Sequence, residues 1–152
     1  MTEFESLTAR LYEQVSRPNG EWDWDSVREL FHPKATLVRT GLDESGERFA
    51  LVMTLDEYIE NAAALLVDVQ FREVELHQQV DEFGNVARLA SVYESEFKGQ
   101  GRHVKGRGVN FFNLVNTGSG WQVINMVWDN ERKGLSLEQA GLMAGACIRP
   151  QE

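Results

Sequence analysis

Histidine and cysteine, the side chains that most often bind metals or act as nucleophiles, are sparse and scattered in this sequence. His32, His77 and His103 follow neither an HxxxH nor an HExxH spacing, and Cys147 is the sole cysteine. A thiolate zinc site therefore lacks a second sulfur, and no intrachain disulfide can form. No serine lies in a GxSxG motif, which argues against the nucleophile elbow of a hydrolase. We expect no metal and no cofactor.

Arg39 has the most informative position of the charged residues. It belongs to a run, Ala-Thr-Leu-Val-Arg-Thr, that predicts a strand, and it shares strand parity with Ala35 and Leu37. If those two side chains face the core, the guanidinium points inward and needs a partner, because an unpaired charge in an apolar pocket is costly. Three alternatives stay open: an acidic group on a ligand, an ion pair with Asp129 or Glu94, or exposure at the rim.

Other polar and aromatic side chains are candidates for orienting a ligand. Asn125 and Asp129 share one face of the last predicted strand with two valines, so one or both could enter a cavity. Tyr58 and Tyr93 supply hydroxyls from a helix and from a strand. His32, before a proline, either contacts a ligand or only packs. For all of them the alternative is structural: a polar strand end or a core-lining side chain.

The charge balance restricts the class of partner. The 152 residues include 15 Lys and Arg against 24 Asp and Glu, a net charge of −9, and such a surface repels phosphates. We therefore expect no nucleic acid and no membrane, but a small molecule or another protein. The basic run from Lys98 to Arg107 either steers an anionic ligand or forms a solvated hairpin. With no signal pattern and no apolar run near ~18 residues, the protein is expected to be cytoplasmic.

Helical periodicity dominates the first half of the chain, and strand alternation dominates the second, which predicts an α+β domain. Capping boxes at Thr2/Glu5 and Thr54/Glu57 open two of the helices. The predicted helices cover about residues 3–17, a short segment ending at His32-Pro33, 54–67 and, weakly, 137–146, and the predicted strands cover 35–40, 49–53, 71–80, 86–97, 104–116 and 121–129. We expect one domain over residues 1–152, with 134–152 as a C-terminal extension.

Strands this long require a bent sheet, because three helices cannot cover a flat one. The predicted fold is a strongly curved, mostly antiparallel sheet packed around the N-terminal helices. The segments Phe31-His-Pro-Lys-Ala-Thr, Arg107-Gly-Val-Asn-Phe-Phe-Asn-Leu-Val, Gly120-Trp-Gln-Val and Val127-Trp-Asp-Asn-Glu-Arg, in this order, resemble the nuclear transport factor two-like superfamily, in its SnoaL-like branch. The similarity spans about residues 3–133. It implies a conical α+β barrel.

The resemblance also assigns candidate roles to site residues. In the superfamily's enzymes, polar groups project from the sheet and the first helix into an apolar cone. The general base of the resembling ketosteroid isomerases corresponds to Arg39 here, so we do not expect isomerisation by that mechanism. Their oxyanion-binding pair corresponds to Tyr12 and Asn110, and an asparagine can donate an amide hydrogen but cannot act as a protonated acid. Tyr12 is alternatively a half-buried helix residue.

Apolar residues on both faces of one predicted strand indicate a second buried surface. Val86, Ala90 and Val92 alternate with Leu89 and Tyr93, and a single-layer sheet cannot leave so much apolar area in water. We expect a homodimer through this face, as the resemblance also implies, with upward of ~1,200 Å² buried. A glutamate at position 90 is then expected to separate the subunits.

Two functions follow as alternatives. In the first, the protein is a small-molecule-binding protein with a conical apolar pocket, a candidate lyase, isomerase or cyclase whose acidic aromatic or polyketide-like ligand meets Arg39 and stacks among Trp22, Phe112 and Tyr93. In the second, it is a noncatalytic homodimeric protein-interaction module. A closed pocket of ~300 Å³ or more with convergent polar groups favours the first. A pocket plugged by Trp22, Trp24 or Phe112 favours the second.

Overall fold

A six-stranded, strongly curved sheet is the framework of the protein. The computed structural model describes residues 1–16 and 23–144. In chain order its elements are α1 (Glu3–Val15), α2 (Trp24–Arg28), β1 (Phe31–Leu42), β2 (Arg48–Thr54), α3 (Leu55–Leu65), β3 (Gln70–Phe83), β4 (Val86–Gly99), β5 (Arg102–Asn116) and β6 (Trp121–Asn130). The strand order is β2-β1-β6-β5-β4-β3. β1 and β6 are parallel, and the other neighbouring pairs are antiparallel. The predicted α+β barrel is confirmed.

Two of the helices begin at the predicted capping boxes. In α1 the Glu5 amide donates to the Thr2 hydroxyl at 3.1 Å and the Thr2 amide donates to the Glu5 carboxylate at 2.8 Å. Thr54 and Glu57 repeat this exchange at the start of α3. Each box satisfies amides that the first turn leaves without helical partners. α1 then buries Phe4, Leu7, Leu11 and Val15 against the concave face of the sheet.

Two predicted boundaries are wrong. The second helix ends at Arg28, and β1 begins at Phe31, so the His32-Pro33 step lies inside a strand. The register of β1 shifts between Phe31 and Thr36, and such an irregularity tolerates a proline that has no amide to donate. The predicted last helix is a single turn in the described part of the chain. Gly141 interrupts it with a φ of 75°.

Residues 134–144, the described part of the C-terminal extension, cover part of the convex face of the sheet. Leu137 packs on Val92 and Val109, and Leu142 and Met143 lie beside them. Arg107 fixes this segment by donating to Glu131 at 2.8 Å and to Glu138 at 2.9 Å, which lowers the pKa of both carboxyl groups. Val92 is thus covered by its own chain and is not available to a second subunit, contrary to the prediction.

Within the described residues, no helix combines the length and the apolar character needed to cross a bilayer.

Candidate functional site

A cavity of about 240 Å³ lies between the concave face of the sheet and the helices. Its walls are mostly aromatic and aliphatic, with a few polar groups converging from different strands. The lining residues are Val15, Trp24, Arg39, Tyr58, Asn61, Ala62, Leu65, Leu66, Phe71, Glu73, Tyr93, Ser95, Asn110, Met126, Trp128 and Asn130. Four of the predicted site residues, Arg39, Tyr58, Tyr93 and Asn110, are therefore brought together.

Arg39 extends from β1 into the cavity, and its Nε atom has no hydrogen-bond partner among the described residues. Leu37, two residues earlier, is fully buried, so the predicted inward parity is observed. The Nε of Arg39 is buried and has no hydrogen-bond partner among the described residues. Its guanidinium carbon lies 5.7 Å from the centroid of the Phe49 ring. The alternative of an ion pair with Asp129 or Glu94 is wrong, because Asp129 pairs with Arg132 and Glu94 faces the other side of β4.

A buried chain of hydrogen bonds positions Asn110. The Asn110 amide donates to the Tyr12 hydroxyl at 2.9 Å, and the Tyr12 and Ser91 hydroxyls are 2.7 Å apart. Ser91 donates its one proton to Glu75 at 2.5 Å, so Tyr12 must donate to Ser91. Thr8 also donates to Glu75, at 2.9 Å. This series of hydrogen bonds therefore connects the Glu75 carboxylate to Asn110 in the cavity wall.

This chain changes the role expected for Tyr12. The phenol already accepts one hydrogen bond and donates its only proton, and burial holds its pKa far above the usual range. Tyr12 is not part of the cavity lining. Of the predicted oxyanion-binding pair, only Asn110 remains a candidate. Its second amide hydrogen and its carbonyl oxygen take no part in the hydrogen-bond network that contains Tyr12. Tyr12 holds that amide in place.

Tyr93 is fixed by a neighbour that the sequence did not indicate. Its hydroxyl donates to the Asn130 carbonyl oxygen at 2.6 Å. The bond passes directly over Gly108, where a Cβ would collide with both groups. The absence of a side chain at Gly108 therefore permits this contact. Burial raises the pKa of the Tyr93 hydroxyl, so it remains a neutral donor.

Asn125 and Asp129 were predicted to enter the cavity, and this prediction is wrong. The register of β6 against β5 shifts between Val123 and Asn125, which inserts one extra residue and reverses the alternation. Met126 and Trp128 consequently line the cavity. The Asn125 amide donates instead to Thr36 at 3.1 Å, and Asp129 accepts from a nearby arginine. The regular alternation of residue types did not indicate this bulge.

The remaining predicted residues lie elsewhere. Phe112 is 1% exposed and belongs to the core, so it neither lines nor plugs the cavity. The ring of His32 accepts from the Lys34 amide at 3.0 Å, which fits the packing alternative. Trp22 lies outside the described residues. Trp24 contributes part of one wall. Across residues 1–16 and 23–144, no cluster of His, Cys, Asp and Glu side chains could hold a metal ion.

Glu73 is the main lining residue that sequence reasoning missed. The Ser16 hydroxyl fixes its backbone, accepting from the Glu73 amide at 2.8 Å and donating to its carbonyl at 3.1 Å. Burial raises the pKa of the Glu73 carboxyl group to about 8. Its inward parity with Phe71 was the available signal. On its other side, Glu73 borders a wider groove of about 1010 Å³ between α1 and β3.

The architecture is that of the NTF2-like proteins. A protein from Novosphingobium aromaticivorans, provisionally named an aromatic ring hydroxylase, superposes with a TM-score of 0.68 at 18% identity, covering 86% of this chain and 87% of that one. A provisionally named dehydratase of the NTF2-like family from Streptomyces avermitilis gives 0.65 at 14% identity, with 86% and 94% covered. These likenesses establish the fold and confirm the resemblance at that level, without specifying the SnoaL-like branch.

A protein named as an association domain shares the same fold. It is provisionally named a Ca/calmodulin-dependent kinase II association domain, from Exiguobacterium sibiricum, and gives a TM-score of 0.61 at 13% identity, with 86% of this chain and 92% of that one covered. The sequence itself matches no family model and, at a significant level, no curated protein. The fold therefore occurs in proteins named for very different activities.

Replacing Tyr12 with phenylalanine is expected to destabilise the protein by about 1–3 kcal/mol. The change removes one oxygen and leaves the Asn110 amide and the Ser91 hydroxyl with lost partners in a buried position. Urea unfolding of the two proteins measures the difference. Tyr58→Phe is the matched control, because this hydroxyl makes no hydrogen bond in the described part of the protein. An equal loss of stability in both variants would contradict the structural role of the hydrogen bonds of Tyr12.

The stability of the protein is expected to fall as pH rises from about 5 to 9. The folded protein retains the Glu73 proton up to a pKa of about 8, whereas the unfolded chain releases it near 4.5. Between these values the folded state binds more protons, so raising the pH lowers the free energy of unfolding, by at most ~1.4 kcal/mol per pH unit. Urea unfolding across this range should show a shallower decline in Glu73→Gln. Parallel profiles would be inconsistent with the shift.

Proposed function

We propose that the protein binds a small acidic aromatic ligand in the cavity that Arg39 lines. The observation that carries this proposal is the buried Nε of Arg39, which has no acceptor among the described residues. Leaving such a donor without a partner costs free energy, and a carboxylate, an enolate or a phosphate on a ligand would remove that cost. Tyr58 and Trp128 meet edge to face at 6.0 Å between ring centroids and offer an aromatic wall for a ring.

The volume of the cavity favours a small ligand within the predicted class. About 240 Å³ is somewhat less than the ~300 Å³ expected for a pocket that encloses a drug-sized molecule. A cavity of ~150 Å³ already accommodates benzene. The space therefore suits one substituted ring better than a multi-ring polyketide. Trp24 narrows the cavity without filling it.

The polar groups suit a reaction that develops negative charge on the ligand. An arginine and the Asn110 amide could both stabilise an enolate or a carbonyl that gains charge, as in a lyase, isomerase or cyclase of the SnoaL-like branch. The names of the hydroxylase- and dehydratase-like relatives support a small-molecule site. The single cysteine of the sequence supports a reducing compartment such as the cytoplasm.

A second candidate function is a noncatalytic homodimeric interaction module. Val52, Val38, Val127, Phe111 and Ala90 are successive cross-strand neighbours on the convex face, and we call this row the convex strip. Val52 is 63% exposed and Phe111 is 47% exposed. An apolar row of this kind favours association with a second copy. The name of the association-domain relative supports the same proposal.

Arg39→Met is expected to weaken the binding of benzoate-type acids at least tenfold. Methionine keeps the unbranched apolar stem of the side chain and removes the charged donors, so the interaction with the acid is lost. Binding to a panel of aromatic carboxylic acids is measured by calorimetry. Arg48→Met is the control, because Arg48 is exposed and outside the cavity lining. Failure of every acid to bind, or unchanged affinity in the variant, would overturn the proposal.

Phe111→Glu is expected to convert a dimer into monomers. The substitution places a charge at the centre of the convex strip, where a two-fold partner would meet the same charge. Position 111 is a better test than position 90, because Ala90 also packs against the cluster that contains Leu137. Light scattering gives the mass. Phe83→Glu is the control, because Phe83 lies at the end of β3 and is 86% exposed. A monomeric unmodified protein would contradict the homodimer.

A further inference from the structure

Arg39 and Glu73 occupy facing walls of the cavity. Arg39 lies on β1 and Glu73 on β3, and three strands separate these two in the sheet. Neighbouring strands are about 4.8 Å apart, so only the curvature of the sheet brings both residues to one cavity. Within the described residues, the two side chains form no ion pair with each other. The cavity between the two side chains is therefore a space that a ligand held by Arg39 can occupy.

The backbone of Glu73 is fixed, whereas its carboxyl group has no hydrogen-bond partner among the described residues. Ser16 fixes the backbone of this residue at both its amide and its carbonyl. In the described part of the chain, no side chain hydrogen bonds to its carboxyl oxygens. The hydroxyl of Tyr93, which lines the same cavity, donates its hydrogen bond to Asn130 instead. The carboxyl group is thus available to a ligand.

The surroundings of Glu73 favour its neutral form. Burial is the cause that raises its pKa to about 8. The ionisable side chains that line the cavity or the adjoining groove are Glu5, Tyr12 and Glu13 of α1, Tyr58 of α3, Arg72 and Glu75 of β3, Tyr93, Glu96 and Lys98 of β4 and, across the cavity, Arg39 of β1. Four of these are carboxyl groups, which further disfavour a negative charge on Glu73. The cations are Arg39, across the cavity, and Arg72 and Lys98, which line only the groove.

We propose that Glu73 acts as a neutral carboxylic acid that donates a hydrogen bond to a carbonyl or ether oxygen at the end of the ligand remote from Arg39. This inference rests on the proposed function and narrows its ligand class. The site then selects aromatic acids that carry a second, uncharged oxygen acceptor, such as aromatic keto acids. An acid that lacks this oxygen leaves the Glu73 hydrogen without an acceptor, which a buried site penalises.

The other polar groups of the cavity fit such a ligand. Asn110 retains one amide hydrogen that could support the same oxygen. An ionised Glu73 would instead repel the lone pairs of that oxygen and the charge of the acid. The preference for the second oxygen should therefore exist only while Glu73 holds its proton.

Two acids of nearly equal shape test this selection. 4-Acetylbenzoate carries the carbonyl oxygen, and 4-isopropylbenzoate replaces it with a methyl group. Calorimetry at pH 6.5 should show the unmodified protein binding the first at least tenfold more tightly, and at pH 9.5 this preference should disappear. Glu73→Gln, whose amide donates at any pH, should keep the preference at both values. Glu73→Leu should show none, and Glu60→Gln, at an exposed position of α3, should behave as the unmodified protein.

The outcomes separate this inference from the proposed function. If both acids bind through Arg39 with equal affinity, or if the preference does not change with pH, the role of Glu73 is wrong and the binding site stands. If neither acid binds, both proposals fail. Carbon-13 NMR titration of the side-chain carboxyl groups, with the Glu73 signal assigned from Glu73→Gln, tests the neutral acid without any ligand. A midpoint near 8 supports it, and a midpoint near 4.5 overturns it.

Discussion

The curvature of the sheet is the constraint on which the other features of this protein depend. Strands of up to 15 residues cannot stay flat and still enclose α1. Register shifts in the β1/β6, β3/β4 and β5/β6 pairs supply the bends, since an extra residue on one strand increases the local twist. The same bends create a concave space and bring side chains from separated strands to it. Without them, Arg39 and Glu73 would belong to opposite ends of an open sheet.

Within that space, two carboxyl groups on one strand have opposite surroundings. Glu75 accepts hydrogen bonds from Thr8, Gln78 and Ser91, at the end of the buried chain that fixes Asn110. Glu73, two residues away on the same face, receives none and has a pKa of about 8. The carboxylate of Glu75 therefore has a structural role, whereas the carboxyl group of Glu73 is available to a ligand. Local donors, rather than sequence distance, decide the difference.

Much of the architecture could be predicted from the sequence because it depends on local rules. The capping boxes at Thr2 and Thr54 and the inward parity of Arg39 follow from spacing alone. The bulge in β6 could not be predicted in this way. Residue types alternate without interruption through this strand, so nothing indicated the extra residue that turns Asn125 to the other face. Glu73 was missed for a related reason: charge predicts exposure for a strand residue, and only the curved packing of α1 against β3 partly buries this one.

The close approach at Gly108 also restricts how the cavity can diverge. A side chain at this position would occupy the space of the Tyr93–Asn130 hydrogen bond, so the three positions are not independent. A larger residue at 108 becomes tolerable only after one of its two neighbours has become smaller. Substitutions here must therefore occur in a particular order. In a library of random variants, this wall should change through pairs of mutations, whereas the exposed turns of the sheet can vary one residue at a time.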